Sequence, residues 1–262
     1  MNILENIIVK KKIEVSARKQ KTTIAELEKM PFFQNKTFSF KELLLRNDKT
    51  GIIAEFKRRS PSKGIINNCS STADVTHDYV KYGASAVSVL TDEEFFGGSL
   101  KDLLEAQVNE VPVLRKDFII DEYQLIESKA YGADVILLIA ACLAKEEVRS
   151  LSKFAKNSGL NVLLEIHNEE ELEHICDEVD VVGINNRDLK SFKVDINHSI
   201  ELCKKIPVDK IKISESGIDN VKIIDHLKKN GFSGFLMGEK FMKEKDPGKA
   251  FADFVKELKS VK

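Results

Sequence analysis

No Cys-x-x-Cys pair occurs among the four cysteines, Cys69, Cys142, Cys176 and Cys203. Their scatter points to a reducing compartment and argues against a structural zinc site. The five histidines also lack ligand spacing, so no metal is expected. An excess of one charge is missing as well: 41 Lys and Arg against 42 Asp and Glu leave a formal net charge of -1. No global attraction to nucleic acid or to an anionic membrane follows, and any affinity for anions must be local. No apolar run is long enough to span a bilayer, and Met1 leads into Asn2-Ile3-Leu4-Glu5-Asn6 rather than a basic segment with an apolar core. A soluble, unexported, cytoplasmic protein is expected. No Gly-x-Gly-x-x-Gly follows a strand-like run, which weighs against an open dinucleotide-binding sheet.

What the chain does have is apolar content for a large core. Its 262 residues are 42% hydrophobic, which suits one α/β domain of barrel size spanning residues 1–262. Ile3, Leu4, Ile7 and Ile8 recur at helical spacing, and the basic run 10–12 behind them reads as a solvated face. Thr23 with Glu26 and Ser39 with Glu42 have capping-box spacing. Residues 1–50 therefore read as a helical extension. From Gly51 onward, short apolar runs alternate with amphipathic segments, and strands are predicted at 52–56, 86–90, 112–116, 134–139, 161–166, 181–185, 210–214 and 234–237. Gly83, Gly132, Gly159 and Gly231 precede four of these strands and suit left-handed helix C-caps. Eight repeats of one helix-Gly-strand unit predict a (β/α)8 TIM barrel, with an open doubly wound sheet as the alternative.

The polar residues that interrupt the predicted strands all fall at their C-terminal ends. Glu55 and Lys57 stand two apart in a buried run, so alternation puts both on one face, as a structural ion pair or as proton-transfer chemistry. Arg115-Lys116-Asp117, Glu165-Ile166-His167, Asn185-Asn186-Arg187 and Ser214-Glu215-Ser216-Gly217 end four further strands. Taken singly each is an ordinary loop charge. In a parallel barrel these ends share the face on which active sites are built. After strands seven and eight come Ser216-Gly217 and Gly238-Glu239-Lys240, where barrels bind phosphate on backbone N–H groups. Ser60, Ser62 and Lys63 stand ready to close over an anion from the opposite side.

Six blocks carry a family resemblance. Residues 55–64 (EFKRRSPSKG), Thr91 with Phe96-Gly97-Gly98-Ser99, Arg115-Lys116-Asp117-Phe118-Ile119, Leu164-Glu165-Ile166-His167, residues 183–189 (GINNRDL) and Ser214-Glu215-Ser216-Gly217-Ile218 resemble indole-3-glycerol phosphate synthases, in the same order and across the chain. The helical extension before the first strand is also a feature of that family.

The resemblance implies a cofactor-free lyase of tryptophan biosynthesis. It would convert 1-(2-carboxyphenylamino)-1-deoxyribulose 5-phosphate into indole-3-glycerol phosphate, carbon dioxide and water. It implies Lys116 as the general acid of ring closure, with Glu55 orienting and charge-balancing it. Lys57 is implied near the substrate's anionic groups, Glu165 as the acid/base of dehydration, Asn185 on the developing hydroxyl, and Glu215 with Ser216 as a polar wall. Phe96, Phe118, Leu189 and Met237 lie in or beside these blocks as walls for the aromatic ring, and Ser60 and Arg187 as substrate contacts. Phosphate falls to Lys57 and to the turns at Gly217, Gly238 and Glu239. Lys240 stands where the family has a small hydroxyl residue and is left without a role, and His167 reads as a supporting or loop residue. The implied partner is the small-molecule substrate, with transient contact to other tryptophan-pathway enzymes, and neither nucleic acid nor membrane. Two alternatives stand beside this reading: another phosphate-binding barrel enzyme, such as phosphoribosylanthranilate isomerase, and a non-catalytic ligand-binding barrel.

Overall fold

In the computed structural model, which describes residues 3–188 and 192–260, eight parallel strands close on themselves. They are β1 (Ile52–Phe56), β2 (Ala86–Leu90), β3 (Val113–Lys116), β4 (Val135–Ile139), β5 (Asn161–Ile166), β6 (Val181–Asn185), β7 (Ile211–Glu215) and β8 (Gly234–Met237). The ring shuts where β1 pairs with β8, Ile52 opposite Phe235. Five strands have the predicted bounds; β3 and β4 each start one residue later, and β7 sits one residue further on, which brings Glu215 into the ladder. No described helix is long and apolar enough to cross a membrane.

Side chains alternate along each strand, and this sorts the core into two compartments. Ile53, Ala86, Leu114, Leu137, Leu163 and Leu236 point into the barrel. Ile52, Val87, Ile136, Leu164, Phe235 and Met237 point outward beneath the helices. The barrel is plugged at the N-terminal ends of its strands by Phe40 and Leu44 of the short helix α3 (Phe40–Leu45). The segment before that helix is fixed there because Asp134 accepts the Phe38 N–H at 2.8 Å and the Val113 N–H at 2.9 Å. Gly234 is a packing requirement, since a Cβ there would lie 2.8 Å from a Leu44 methyl. With one end filled, only the C-terminal end stays open to ligands.

The extension begins with α1 (Ile3–Lys21) and α2 (Ile24–Leu27). Thr23 and Glu26 form the predicted capping box; Ser39 caps α3 by accepting the Glu42 N–H. One expectation fails. Within the basic run only Lys10 and Lys12 are exposed, whereas Lys11 is 1% exposed, on the same stripe as Ile7 and Val15. Its ammonium sits 2.9 Å from Glu14, 2.9 Å from Asp92 and 2.8 Å from Asp117. Asp117 in turn meets Arg115 at 3.0 Å, Arg115 meets Glu127 at 2.9 Å, and Arg18 of α1 joins Glu127 to Glu14. These charges close a ring that ties the extension to the end of β3. Burial favours the neutral amine, but Asp117, Asp92 and Glu14 outweigh it and hold Lys11 charged, well above its ordinary pKa.

Candidate active site

Lys116 is the inward residue at the end of β3, and its neighbour Arg115 points outward into the charge ring. The Lys116 ammonium donates to Glu165 Oε2 at 2.6 Å and to Glu215 Oε2 at 3.0 Å, reaching across the barrel to β5 and β7. Glu55, expected beside Lys116, instead pairs with Lys57 at 2.8 Å. Alternation along β1 aims that carboxylate and amine at the same space, so Glu55 affects Lys116 through its field rather than by contact.

Burial alone disfavours the Lys116 ammonium. The Glu165 and Glu215 carboxylates overcome it and keep the ammonium well above its usual pKa. Burial likewise raises Glu165, but Lys116 and His167 hold it well below the carboxylate range. Glu215 comes out differently: burial, with Glu165 and Glu55 nearby, outweighs Lys116 and pushes it up to about 7. Its Oε1 is buried without a hydrogen-bond partner, beside Gly183. One cation between two carboxylates thus leaves one firmly ionised and the other poised near neutrality.

Asn185 donates to Glu165 Oε1 at 2.9 Å and accepts the Arg187 N–H at 3.0 Å. Its neighbour Asn186 donates to the Ser216 carbonyl at 2.7 Å, holding a turn in which Ser216 and Gly217 both have φ of 70°. Left-handed backbone at a non-glycine residue costs free energy and persists only when its surroundings impose it. A Cβ on Gly217 would lie 2.4 Å from a Val194 methyl.

These side chains line a cavity of about 200 Å³. Its apolar wall is Phe96 and Phe118, with ring centroids 6.1 Å apart, and Ile3, Leu4 and Ile7 of α1 roof it. Met237 does not line it. It faces outward into the helix layer, and its neighbour Leu236 takes the inward position. Leu189 lies outside the described residues. At the polar rim, Ser60, Ser216, Gly217, Gly238, Arg187 and Glu239 converge. Glu239 stands 3.7 Å from Lys63 and 3.8 Å from Arg187, so cations from two loops face it. Gly238 makes room for Glu55, because a Cβ there would lie 2.8 Å from the Glu55 side chain. Arg58, on the opposite face from Lys57, is spent on structure: it grips Asp102 at 2.7 and 2.6 Å and lies over the Phe56 ring. Among the described residues no group of three or more His, Cys, Asp or Glu side chains is arranged to hold a metal ion.

Gly183, Asn186 and Leu236 shape the site without having been singled out from the sequence, and Lys11 anchors the extension beside it. His167, read there as a supporting residue, lies with Nε2 3.1 Å from Glu165 and Nδ1 3.3 Å from Glu171. An acidic residue two before a histidine at a strand end was the available signal. The others act through contacts between distant strands and helices, which no local pattern carries.

Solved structures with this architecture include the tryptophan synthase alpha subunit of Legionella pneumophila, at a TM-score of 0.62 and 14% identity, covering 84% of this chain and 97% of that one. A 3-hexulose-6-phosphate synthase aligns at a TM-score of 0.60 and 14% identity over 80% of this chain and 98% of its own. These likenesses establish the barrel alone. Sequence similarity is closer: indole-3-glycerol phosphate synthase of Bacteroides thetaiotaomicron is 46% identical over 98% of this chain and 99% of its own. That of Campylobacter jejuni is 42% identical over 95% and 98%, and that of Salinibacter ruber 38% identical over 100% and 98%. The indole-3-glycerol phosphate synthase family model matches residues 4–254, and the chain belongs to the indole-3-glycerol phosphate synthase family.

Proposed function

We propose that the cavity carries out the reaction of its family: ring closure, decarboxylation and dehydration of 1-(2-carboxyphenylamino)-1-deoxyribulose 5-phosphate to indole-3-glycerol phosphate. The observation that carries the residue assignment is the Lys116 ammonium held 2.6 Å from Glu165 and 3.0 Å from Glu215 beside an aromatic wall. Closure needs a proton at the ketone oxygen while the ring carbon bearing the carboxylate attacks it. Lys116 is the donor, loaded because two carboxylates keep it charged. Phe96 and Phe118 stack on the anthranilate ring, and Lys57, balanced by Glu55, pairs with the substrate carboxylate. Loss of that carboxylate as carbon dioxide restores aromaticity.

Dehydration then needs a base for the C–H beside nitrogen and an acid for the departing hydroxyl. Glu165 serves this step, with Asn185 fixing both the carboxylate and the hydroxyl, and Glu215 with Ser216 forms the polar wall. Phosphate sits at the rim on the backbone of Gly217 and Gly238, with Ser60 and Arg187 nearby and Lys57 on the cavity side. Glu239 faces Lys63 and Arg187, and it stays beside a dianion only through that pairing. The free cysteines suit a reducing compartment, which supports a cytoplasmic location.

The test is to mix the purified protein with the carboxyphenylamino-deoxyribulose phosphate, without metal or nucleotide, and follow indole fluorescence. A signal lost in Lys116→Ala supports the assignment. Tight binding of the compound with no fluorescence would sink it in favour of a non-catalytic barrel.

A further inference from the structure

Each turnover of this reaction consumes a proton. The substrate arrives with an aromatic carboxylate that leaves as neutral carbon dioxide, and water departs neutral while the phosphate is untouched. Lys116 delivers one proton, to the ketone oxygen; the proton that leaves with the hydroxyl is offset by the one that Glu165 takes from the C–H beside nitrogen, so the proton given by Lys116 is the one to be replaced. Lys116 must therefore be reloaded from solvent, although α1 roofs its cavity and substrate or product fills it.

A second cavity, of about 650 Å³, has only Leu4 in common with the first, and its lining includes Cys142, His167, Asn168 and Glu171. His167 stands in the wall between the two. Its Nε2 is 3.1 Å from Glu165 Oε1, at ion-pair distance but not aligned as a hydrogen bond, and its Nδ1 is 3.3 Å from Glu171 Oε2. Glu171 is itself fixed, accepting the His167 N–H at 2.7 Å and the Asn168 amide at 2.9 Å. From the helix Ile196–Cys203, His198 Nε2 lies 3.0 Å from the His167 carbonyl, while Glu5 of α1 and Asp188 also line the second cavity.

We propose that His167 reloads Lys116 through Glu165, passing protons from the second cavity to the catalytic acid. The proposal rests on the reading of Lys116 as that acid. While Lys116 is charged, nothing moves: Glu165 is held low, and although burial disfavours the imidazolium, Glu165 and Glu171 raise His167 to about 10. Once Lys116 has protonated the ketone, the cation between Glu165 and Glu215 is gone and two carboxylates face each other. Glu165 then becomes the stronger base. The imidazole turns to align Nε2–H with Glu165 Oε1, the Nε2–H bond breaks and an O–H bond forms at Glu165. A half-turn of the carboxyl group presents the proton to the Lys116 amine, 2.6 Å away, and the ammonium re-forms. Neutral imidazole keeps its Nδ1–H on Glu171 until a solvent proton from the second cavity restores Nε2–H. His167 touches no substrate and acts as a positioning and relay residue.

The experiment compares the first turnover with later ones in His167→Gln, using enzyme in excess and then substrate in excess. Lys116 begins loaded, so the first turnover slows far less than the steady state, in which kcat falls about tenfold or more and KM falls with it because a step after the chemistry has become limiting. Equal slowing of both phases, or slowing of neither, overturns the relay. If His167→Gln does not fold, Glu171→Gln is measured instead and must show the same split between phases; its absence is equally decisive. Failure of the underlying reading is separable, because it requires Lys116→Ala to retain its first turnover.

Discussion

A Cβ on Gly183 would lie 2.2 Å from Glu215 Oε1, so the glycine of β6 is the space into which the β7 carboxylate is set. The oxygen that occupies this space is the one without a hydrogen-bond partner, and the other oxygen holds Lys116. Gly183→Ala should displace Glu215 and release Lys116 from one of its two partners. We expect kcat to fall by about tenfold or more, with a stability loss of roughly 1–3 kcal/mol from overpacking. Steady-state kinetics and urea unfolding check both; an unchanged kcat would mean that Glu215 contributes nothing from that position.

Lys116→Ala should remove ring closure while the affinity for inorganic phosphate at the rim stays within about twofold, because no phosphate contact involves Lys116. Glu165→Gln should lower kcat by on the order of 100-fold with little change in KM. A loss confined to KM would make Glu165 a binding residue.

Glu215 should leave a mark on stability against pH. Its folded pKa, about 7, lies above the ordinary value of 4.5. Between these values the folded state holds a proton that the unfolded state has lost. The contribution is therefore fully present below about pH 4.5 and is lost as pH rises through about 7. Glu215→Gln should flatten this part of the curve, so its stability relative to wild type improves from pH 5 to about pH 8. Parallel curves for the two proteins would contradict the shift.

Gly217→Ala places a methyl group 2.4 Å from Val194 at a left-handed position. The turn must shift away from the phosphate. KM should rise about tenfold or more while saturating turnover changes less, as expected when binding common to the ground and transition states is lost.

Lys11→Met leaves Asp92 buried without its cation and takes from Asp117 one of its two, Arg115 remaining. Breaking a buried pair on one side typically costs about 3–5 kcal/mol, and urea unfolding should register a loss of that order. A drop below about 1 kcal/mol would mean that the ring is electrostatically redundant.

Much of this was legible in the sequence, for identifiable reasons. Alternation put Glu55 and Lys57 on one face, strand-end polarity marked five strand ends, and the family resemblance singled out Lys116, Glu165 and Asn185 within them; all five residues line one cavity. Met237 faced the wrong way because Gly-Phe-Leu-Met is buried on both sides, and four apolar residues carry no parity. The resemblance implies Glu55 as the partner of Lys116, but the partners are set by the circumference of the barrel, which brings β3, β5 and β7 to one point. Lys11 reads as a surface charge within a basic run. Its stripe with Ile7 and Val15 was present, but a stripe read from apolar residues alone passes over a lysine held by carboxylates from distant loops.

The anchoring of the extension bears on the order in which the chain can assemble. Arg18 meets Glu127 109 residues later, Phe38 meets Asp134 96 residues later, and Phe40 meets Asn161 121 residues later. During synthesis, therefore, α1 and α3 emerge long before any surface exists to receive them. They wait unpaired until about half the barrel has been made, so these helices dock well after they are translated. The roof over the active site closes only onto a barrel wall that already stands.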